Sequence, residues 1–360
     1  MLGKLIKNIS PNENNPRNSE GSFYKFNDGK IIFIYSRYRG NDFSDHATCD
    51  LYKMTSYDDG ETFSNEELVF ACEQVGGTNI MSVSLIGLKN GNVGMFFGRK
   101  EGDRKNTVLF SQSPDGNVWS EPKIIFHEEG YHVLNNDRLI RLQDGRLAFP
   151  VAYHQIHDVM TKDGAKMVFE PGIVYIYTSN DDENFYRTST GYSINNCASG
   201  LQEPLIIQHK DGKVECYSRT DNRCQYKIKA KNKSLVSWTE PKKTVFDGPT
   251  SPLSMKYIDN DTLLAVWSSY PPKEDRETWI KNGSYTYYRS HFVCSYSKDN
   301  GKTFSKPKII EYDLERGYCY CAILPLKDSV LLAYCSGGKE EKCCLNRITI
   351  RKIKKSEIVD

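Results

Sequence analysis

Two sets of residues, most of them polar, recur at fixed distances from six tight-turn signals in this 360-residue sequence. Eight positions before the turns at Asp28, Asn90, Asp144, Asp211, Asn260 and Asp328 stand Glu20, Ser82, Asn136, Glu203, Pro252 and Tyr320. Eight to ten positions after the same turns stand Arg37, Arg99, His154, Arg219, Ser269 and Ser336. Carboxylates and phenols act as acids, bases or nucleophiles, and a guanidinium grips an anion through paired N–H bonds. Glu, Tyr and Arg gathered at one concavity would suit glycosidic chemistry.

What gathers them must be the element that repeats. Each turn lies between two runs rich in β-branched and aromatic residues, as in FYKFNDGKIIFIYSR and LIIQHKDGKVECYSR. Asp-Gly and Asn-Gly supply the positive φ of tight hairpin turns, so the six segments read as β-hairpins. The turns are 62, 54, 67, 49 and 68 residues apart, enough for four strands each. Six such units use up the chain, and no linker rich in Pro, Gly or Ser divides it. The expected fold is all-β: one six-bladed β-propeller of four-stranded antiparallel blades over residues 1–360. Equivalent positions in equivalent hairpins then meet at one height around a central opening.

A second repeat follows the hairpins. Residues 56–63 and 297–304 both read S-x-D-x-G-x-T-F, and weaker copies occur at 113–119, 179–185 and 234–238. Side chains of Ser and Asp in such a segment hydrogen-bond nearby backbone, and Gly takes the strained position. The motif reads as a structural turn, and no site residue is expected in it.

Composition narrows the rest. Lys plus Arg (48) nearly balance Asp plus Glu (46), which gives no reason to expect nucleic acid or an anionic membrane as partner. No apolar run approaches the roughly 20 residues of a membrane helix, and the N-terminus lacks a signal-type apolar stretch. A cytoplasmic location is expected, or a secreted one if a leader has been removed. The 11 cysteines are odd in number and form no zinc-type array, so reduced buried thiols, no metal and no cofactor are expected. His154 and His157 alternate across a strand and make no metal pair.

Over its whole length the sequence resembles the sialidase superfamily, in particular bacterial BNR-repeat sialidase-like proteins. The repeat just described resembles the Asp box of that superfamily. The likeness also rests on NSEGSFYKFNDG, NNDRLIRLQDGRLAFP, QEPLIIQHKDGKVECYSRT, the SPLS at the fifth hairpin and RGYCYCAILPL. Sialidases use a Tyr nucleophile paired with Glu, an Asp acid/base, and three Arg that clamp the substrate carboxylate. The resemblance implies Tyr320 as nucleophile, Glu203 as its partner, and Asp45 as acid/base with Asp42 as the alternative. It implies Arg219 and Arg289 as the second and third clamp residues. Arg37, Arg39, Arg99, Asn136, Arg138 and His154 are further candidates for substrate binding.

One position departs from the pattern. Glu20 stands where sialidases place the first clamp Arg, and its charge would repel a substrate carboxylate by several kcal/mol at an effective dielectric of about 20. Arg17 is the nearby cation that could restore the clamp. The resemblance implies retaining exo-hydrolysis of a terminal acidic or modified sugar. Two alternatives stay open: a non-hydrolytic propeller that binds glycan or protein, and an exo-glycosidase for a non-sialic sugar.

Overall fold

In the computed structural model, which describes residues 1–126, 128–162 and 164–359, the chain is all-β. All six expected hairpins form. They pair Asn18–Lys25 with Ile31–Tyr38, Asn79–Gly87 with Val93–Lys100, Ile140–Arg141 with Leu147–His154, Gln202–Gln208 with Val214–Arg219, Ser254–Tyr257 with Leu263–Ser269, and Cys319–Pro325 with Ser329–Cys335. A third antiparallel strand follows each hairpin, and a fourth short strand borders it. In the last unit the fourth strand is N-terminal: Lys4–Ile9 pairs with Ile348–Lys354 and joins the two ends of the chain.

The sheets are less separate than the sequence suggests. Single parallel bridges, Cys49 with Asn79 and Tyr131 with Asn106, merge the first three units into one sheet of thirteen strands. The last three units stay as sheets of four, and Ile156–Thr161 with Gly164–Phe169 forms a separate hairpin inserted in the third unit.

Alternation explains how the core is divided. Ile31, Phe33 and Tyr35 pack against the sixth unit, whereas Ile32 and Ile34, on the opposite face, pack against the second. Strands buried on both faces read as continuous apolar runs, which is why IIFIY is uninterrupted. Each further pair of consecutive units shares a buried cluster, for example Phe96, Phe110, Phe149 and Tyr177 between the second and third.

The S-x-D-x-G-x-T-F segments are turns. Ser297 Oγ accepts the Gly301 N–H at 3.0 Å and donates to Asp299 at 2.8 Å, and Asp299 accepts the Thr303 N–H at 2.9 Å. Ser56, Asp58, Gly60 and Thr62 repeat this pattern. Gly60 has φ +82°, and a Cβ there would meet Leu331 Cδ1 at 2.4 Å, so any larger residue is strained and must displace Leu331. Ser297→Ala removes three hydrogen bonds, the weakest of them from the Asp299 N–H at 3.4 Å, and should cost about 1–2 kcal/mol in urea unfolding while leaving the cavity described below intact.

The inner strands carry a local irregularity that matters more. The ladder slips between Ser19 and Ser22, Met81 and Ser84, Gln202 and Leu205, and Cys319 and Ala322. Within these bulges Glu20, Ser82, Glu203 and Tyr320 have φ of 54°, 62°, 44° and 56°. Left-handed backbone at a non-glycine residue costs of order 1–2 kcal/mol, and a bulge re-aims the side chain it carries.

Candidate functional site

Those re-aimed side chains meet. Glu20, Ser82, Glu203 and Tyr320 line one cavity of about 460 Å³, together with Asp45, Lys100, Asn135, Tyr131, His154, Arg219, Tyr287 and Arg289. Tyr320 donates its hydroxyl hydrogen to Glu203 Oε1 at 2.7 Å, although 117 residues separate the two. Arg219 bridges the pair, with Nη1 2.5 Å from Glu203 Oε2 and 3.4 Å from the Tyr320 hydroxyl. Burial, and the Glu203 charge after it, raise the phenol well above its ordinary value against the opposing pull of Arg219 and Arg289. At neutral pH Tyr320 is therefore a phenol hydrogen-bonded to the carboxyl group of Glu203.

Arg289 closes the other side. Its guanidinium lies 5.5 Å from the Tyr320 ring centroid and donates to Cys319 Sγ at 3.0 Å and to the Thr250 carbonyl at 2.8 Å. His154 donates through Nδ1 to the Glu170 carbonyl, 2.9 Å away, and burial keeps its imidazole below the ordinary range.

Asp45 reaches the cavity from the loop between Ile31–Tyr38 and Cys49–Ser56. Burial works to raise its carboxyl, but Arg17, at 2.6 Å, and the Lys100 ammonium outweigh it and hold the group well below the usual carboxylate range. Asp42 instead accepts hydrogen bonds from Ser44 N and Oγ, both at 2.8 Å, and lies outside the lining. Arg17 is 2 % exposed and divides its charge between Asp45 and Glu20, the latter at 3.4 Å.

Five expected site residues lie outside the cavity. Arg37 stacks on Tyr52 at 4.6 Å and pairs with Glu66 at 3.2 Å, and Arg99 donates to the Val75 carbonyl at 3.0 Å and pairs with Glu101. The reason is strand parity: both stand nine positions after their turns, whereas Arg219 at eight and His154 at ten face the cavity. Lys100, the residue after Arg99, takes the inward place. Arg39 pairs with Asp50 at 3.1 Å and with Glu73. Asp50, Cys72 and Glu73 are grouped closely enough to hold a cation, but the Arg39 guanidinium already pairs with both carboxylates.

In the third unit the left-handed residue is Asp137, φ 58°, one position later than the spacing predicts. The hairpin strand there is cut to Ile140–Arg141, so the preceding segment is free of the ladder and shifts by one residue. Asn136 consequently points into the wall, where Nδ2 donates to the Gly21 and Tyr320 carbonyls at 2.9 and 3.1 Å, and Asn135 lines the cavity. Arg138 is buried at 3 % exposure, donates to Ser254 Oγ at 3.4 Å, and leaves Nε and Nη2 unpaired.

The family profile of the BNR repeat-like domain matches residues 101–332. The chain belongs to this family. The matched BNR repeat-like span includes Glu203, Arg219, Arg289 and Tyr320 but stops short of Arg17, Glu20 and Asp45. No curated protein matches the sequence. Among solved structures it is similar to a protein of unknown function from Dyadobacter fermentans, with 14 % identity, TM-score 0.71, and 98 % of this chain and 99 % of that one covered. It is similar to a leech intramolecular trans-sialidase complexed with 2,7-anhydro-Neu5Ac, with 14 % identity, TM-score 0.71 and coverage of 99 % and 71 %. A Penicillium chrysogenum α-L-arabinanase complexed with arabinobiose gives 14 % identity, TM-score 0.69 and coverage of 100 % and 99 %. At these identities the likeness is one of fold, and this BNR repeat-like chain shares it with proteins named for different sugars.

Proposed function

We propose that the protein is a retaining exo-glycosidase that removes a terminal acidic sugar from a glycan, and that residues 1–360 form a single six-bladed β-propeller. The ring reading is supported by the six shared clusters, one of which joins the sixth unit to the first. The observation that carries the activity is the 2.7 Å hydrogen bond from the Tyr320 hydroxyl to Glu203, bridged by Arg219. A phenol at its ordinary pKa of about 10 is unreactive at neutral pH, and a carboxylate aligned on its proton removes that obstacle.

In this reading Glu203 accepts the phenolic proton as Tyr320 oxygen attacks the anomeric carbon, and the leaving oxygen takes a proton from Asp45. Water then hydrolyses the glycosyl–tyrosine bond: Asp45 takes the proton of the attacking water, and Glu203 returns its proton to the departing Tyr320 oxygen. Asp45 must gain its proton when substrate binds. Its side chain is 58 % exposed in the open cavity, and covering it strengthens the burial effect that already opposes Arg17. Arg219 and Arg289 hold the anionic substituent. The ionised state of Asp45 is also the observation that favours the second reading, a propeller that binds a glycan without cleaving it.

A panel of chromogenic sialosides, uronides and neutral glycosides tests the proposal, with Tyr320→Phe as control. Cleavage that needs Tyr320 supports it; binding without turnover by the wild type supports the second reading instead. For the cleaved substrate, Arg289→Ala should lower kcat/KM about 10- to 100-fold, the loss of charge-assisted bonds worth about 1.5–3 kcal/mol. Arg37→Ala and Arg99→Ala should change it less than about twofold, because both guanidinia are engaged outside the cavity.

A further inference from the structure

Three carboxyl groups, Glu20, Asp45 and Glu203, line the one cavity. Like charges confined in a poorly hydrated space do not all ionise together, so the least compensated group keeps its proton. Glu203 has Arg219 at 2.5 Å and the Tyr320 hydroxyl at 2.7 Å. Asp45 has Arg17 at 2.6 Å. Glu20 has only the far arm of that same guanidinium, at 3.4 Å, and the Ser82 hydroxyl, which can turn to accept as readily as to donate. Glu20 is 5 % exposed, and its left-handed backbone sets it at the same register as Glu203 and Tyr320. It is the least compensated of the three carboxyls.

We propose that Glu20 recognises the carboxylate of an acidic sugar as a protonated carboxyl, donating a hydrogen bond where a third cation would otherwise be needed. The proposal rests on the acidic-sugar reading of this pocket. A carboxyl–carboxylate O–H···O⁻ bond is among the short, strong hydrogen bonds and leaves the proton on Glu20. Charge favours the same ligand: with Glu20 neutral, Arg17, Lys100, Arg219 and Arg289 exceed Asp45 and Glu203 by two positive charges, and by one when Glu20 ionises.

Burial, against the opposing Arg17 charge, raises the Glu20 carboxyl to about 7, so binding a carboxylate above that pH requires uptake of one proton. The neighbouring groups do not mimic this. Tyr38 and Cys49 from its own unit, Tyr131 from the third, and Tyr320 and Cys335 from the sixth are all raised, chiefly by burial, and stay neutral. A free acid carries no aglycone to cover Asp45, so Arg17 and Asp45 stay charged through the range, each held by the other. Lys100, from the second unit, and the His46 and His154 imidazoles are lowered by burial, and the Cys343 thiol is lowered to about 6, first by its hydrogen bond with Cys344; these are the other groups to control for.

Calorimetric titration with N-acetylneuraminic acid and with glucuronic acid at pH 6, 7 and 8, in two buffers of different ionisation enthalpy, decides the matter. The wild type should bind one of the acids with affinity falling up to tenfold between pH 7 and 8, and with proton uptake approaching one per ligand at pH 8. Glu20→Gln should hold the pH 6 affinity at every pH, and the methyl ester of the acid should bind the wild type without pH dependence. Flat affinity in the wild type without proton uptake overturns the proposal, and so does a pH slope retained by Glu20→Gln, which would belong to one of those neighbouring groups. If neither acid binds, the proposal falls; the glycosidase reading still stands where a neutral glycoside is cleaved in a Tyr320-dependent way, and falls with it where none is.

Discussion

Tyr320→Phe should abolish turnover, lowering kcat by at least about 10³-fold, without loosening the fold. Removing the nucleophile of a covalent mechanism leaves only binding and electrostatic stabilisation. The phenyl ring keeps its place 5.5 Å from the Arg289 guanidinium, and Glu203 keeps Arg219 at 2.5 Å, so no charge is left unpaired. Glu203→Gln should cost a comparable factor, and the double variant little more than either single one, since base and nucleophile act as a unit. Steady-state rates on a cleaved glycoside, with thermal unfolding alongside, check this. A Tyr320→Phe enzyme within tenfold of wild type would remove Tyr320 from the chemistry.

Asp137→Ala should produce the largest loss of stability, about 3–5 kcal/mol. Asp137 accepts two hydrogen bonds from the Lys256 ammonium, at 2.8 and 2.9 Å, which donates a third to the Ile323 carbonyl at 2.8 Å, and accepts the Ser22 hydroxyl at 3.2 Å and the Ile323 N–H at 2.9 Å. One carboxylate thereby ties the third unit to the fifth, the first and the sixth. Its side chain is 7 % exposed, and removing it leaves the Ile323 N–H and the Ser22 hydroxyl without this acceptor and the partly exposed Lys256 ammonium with the Ile323 carbonyl alone. Asp137→Asn should fall between, because Asn tolerates the φ of 58° and keeps one acceptor oxygen but loses the charge. Urea unfolding midpoints give the comparison; a loss below about 1 kcal/mol for Asp137→Ala would show that the centre is held by packing alone.

The two replacements mark where sequence reasoning works and where it stops. Hairpins are legible because their turn chemistry and strand pattern are local, and the spacing of eight residues brings Glu20, Ser82, Glu203 and Tyr320 to one cavity. The same counting fails by one residue at Asn136, since a strand shortened to Ile140–Arg141 no longer fixes the register. It fails again at Arg37 and Arg99, where nine positions in place of eight or ten turn a side chain to the other face. Lys100 stands ten positions after its turn, the register of His154, and follows from strand parity, whereas Tyr131, Asn135 and Tyr287 carry no repeat signal, because they come from strand ends and loops whose course depends on the neighbouring unit. Arg17 is visible as a nearby cation, but its division between Asp45 and Glu20 depends on a loop that no local pattern specifies. The parallel bridges that merge the first three units are single contacts between units, equally silent in the sequence.

The most direct test of the account is to trap the enzyme with activated fluoro-glycosides of sialic and uronic acids and locate the added mass on a peptide map. A glycosyl group on Tyr320, absent from Tyr320→Phe and accumulating in a pH-dependent way, is the predicted result. A glycosyl group on Glu203 or Asp45, or turnover of the same glycoside with no Tyr320 adduct and no dependence on Tyr320, would contradict it.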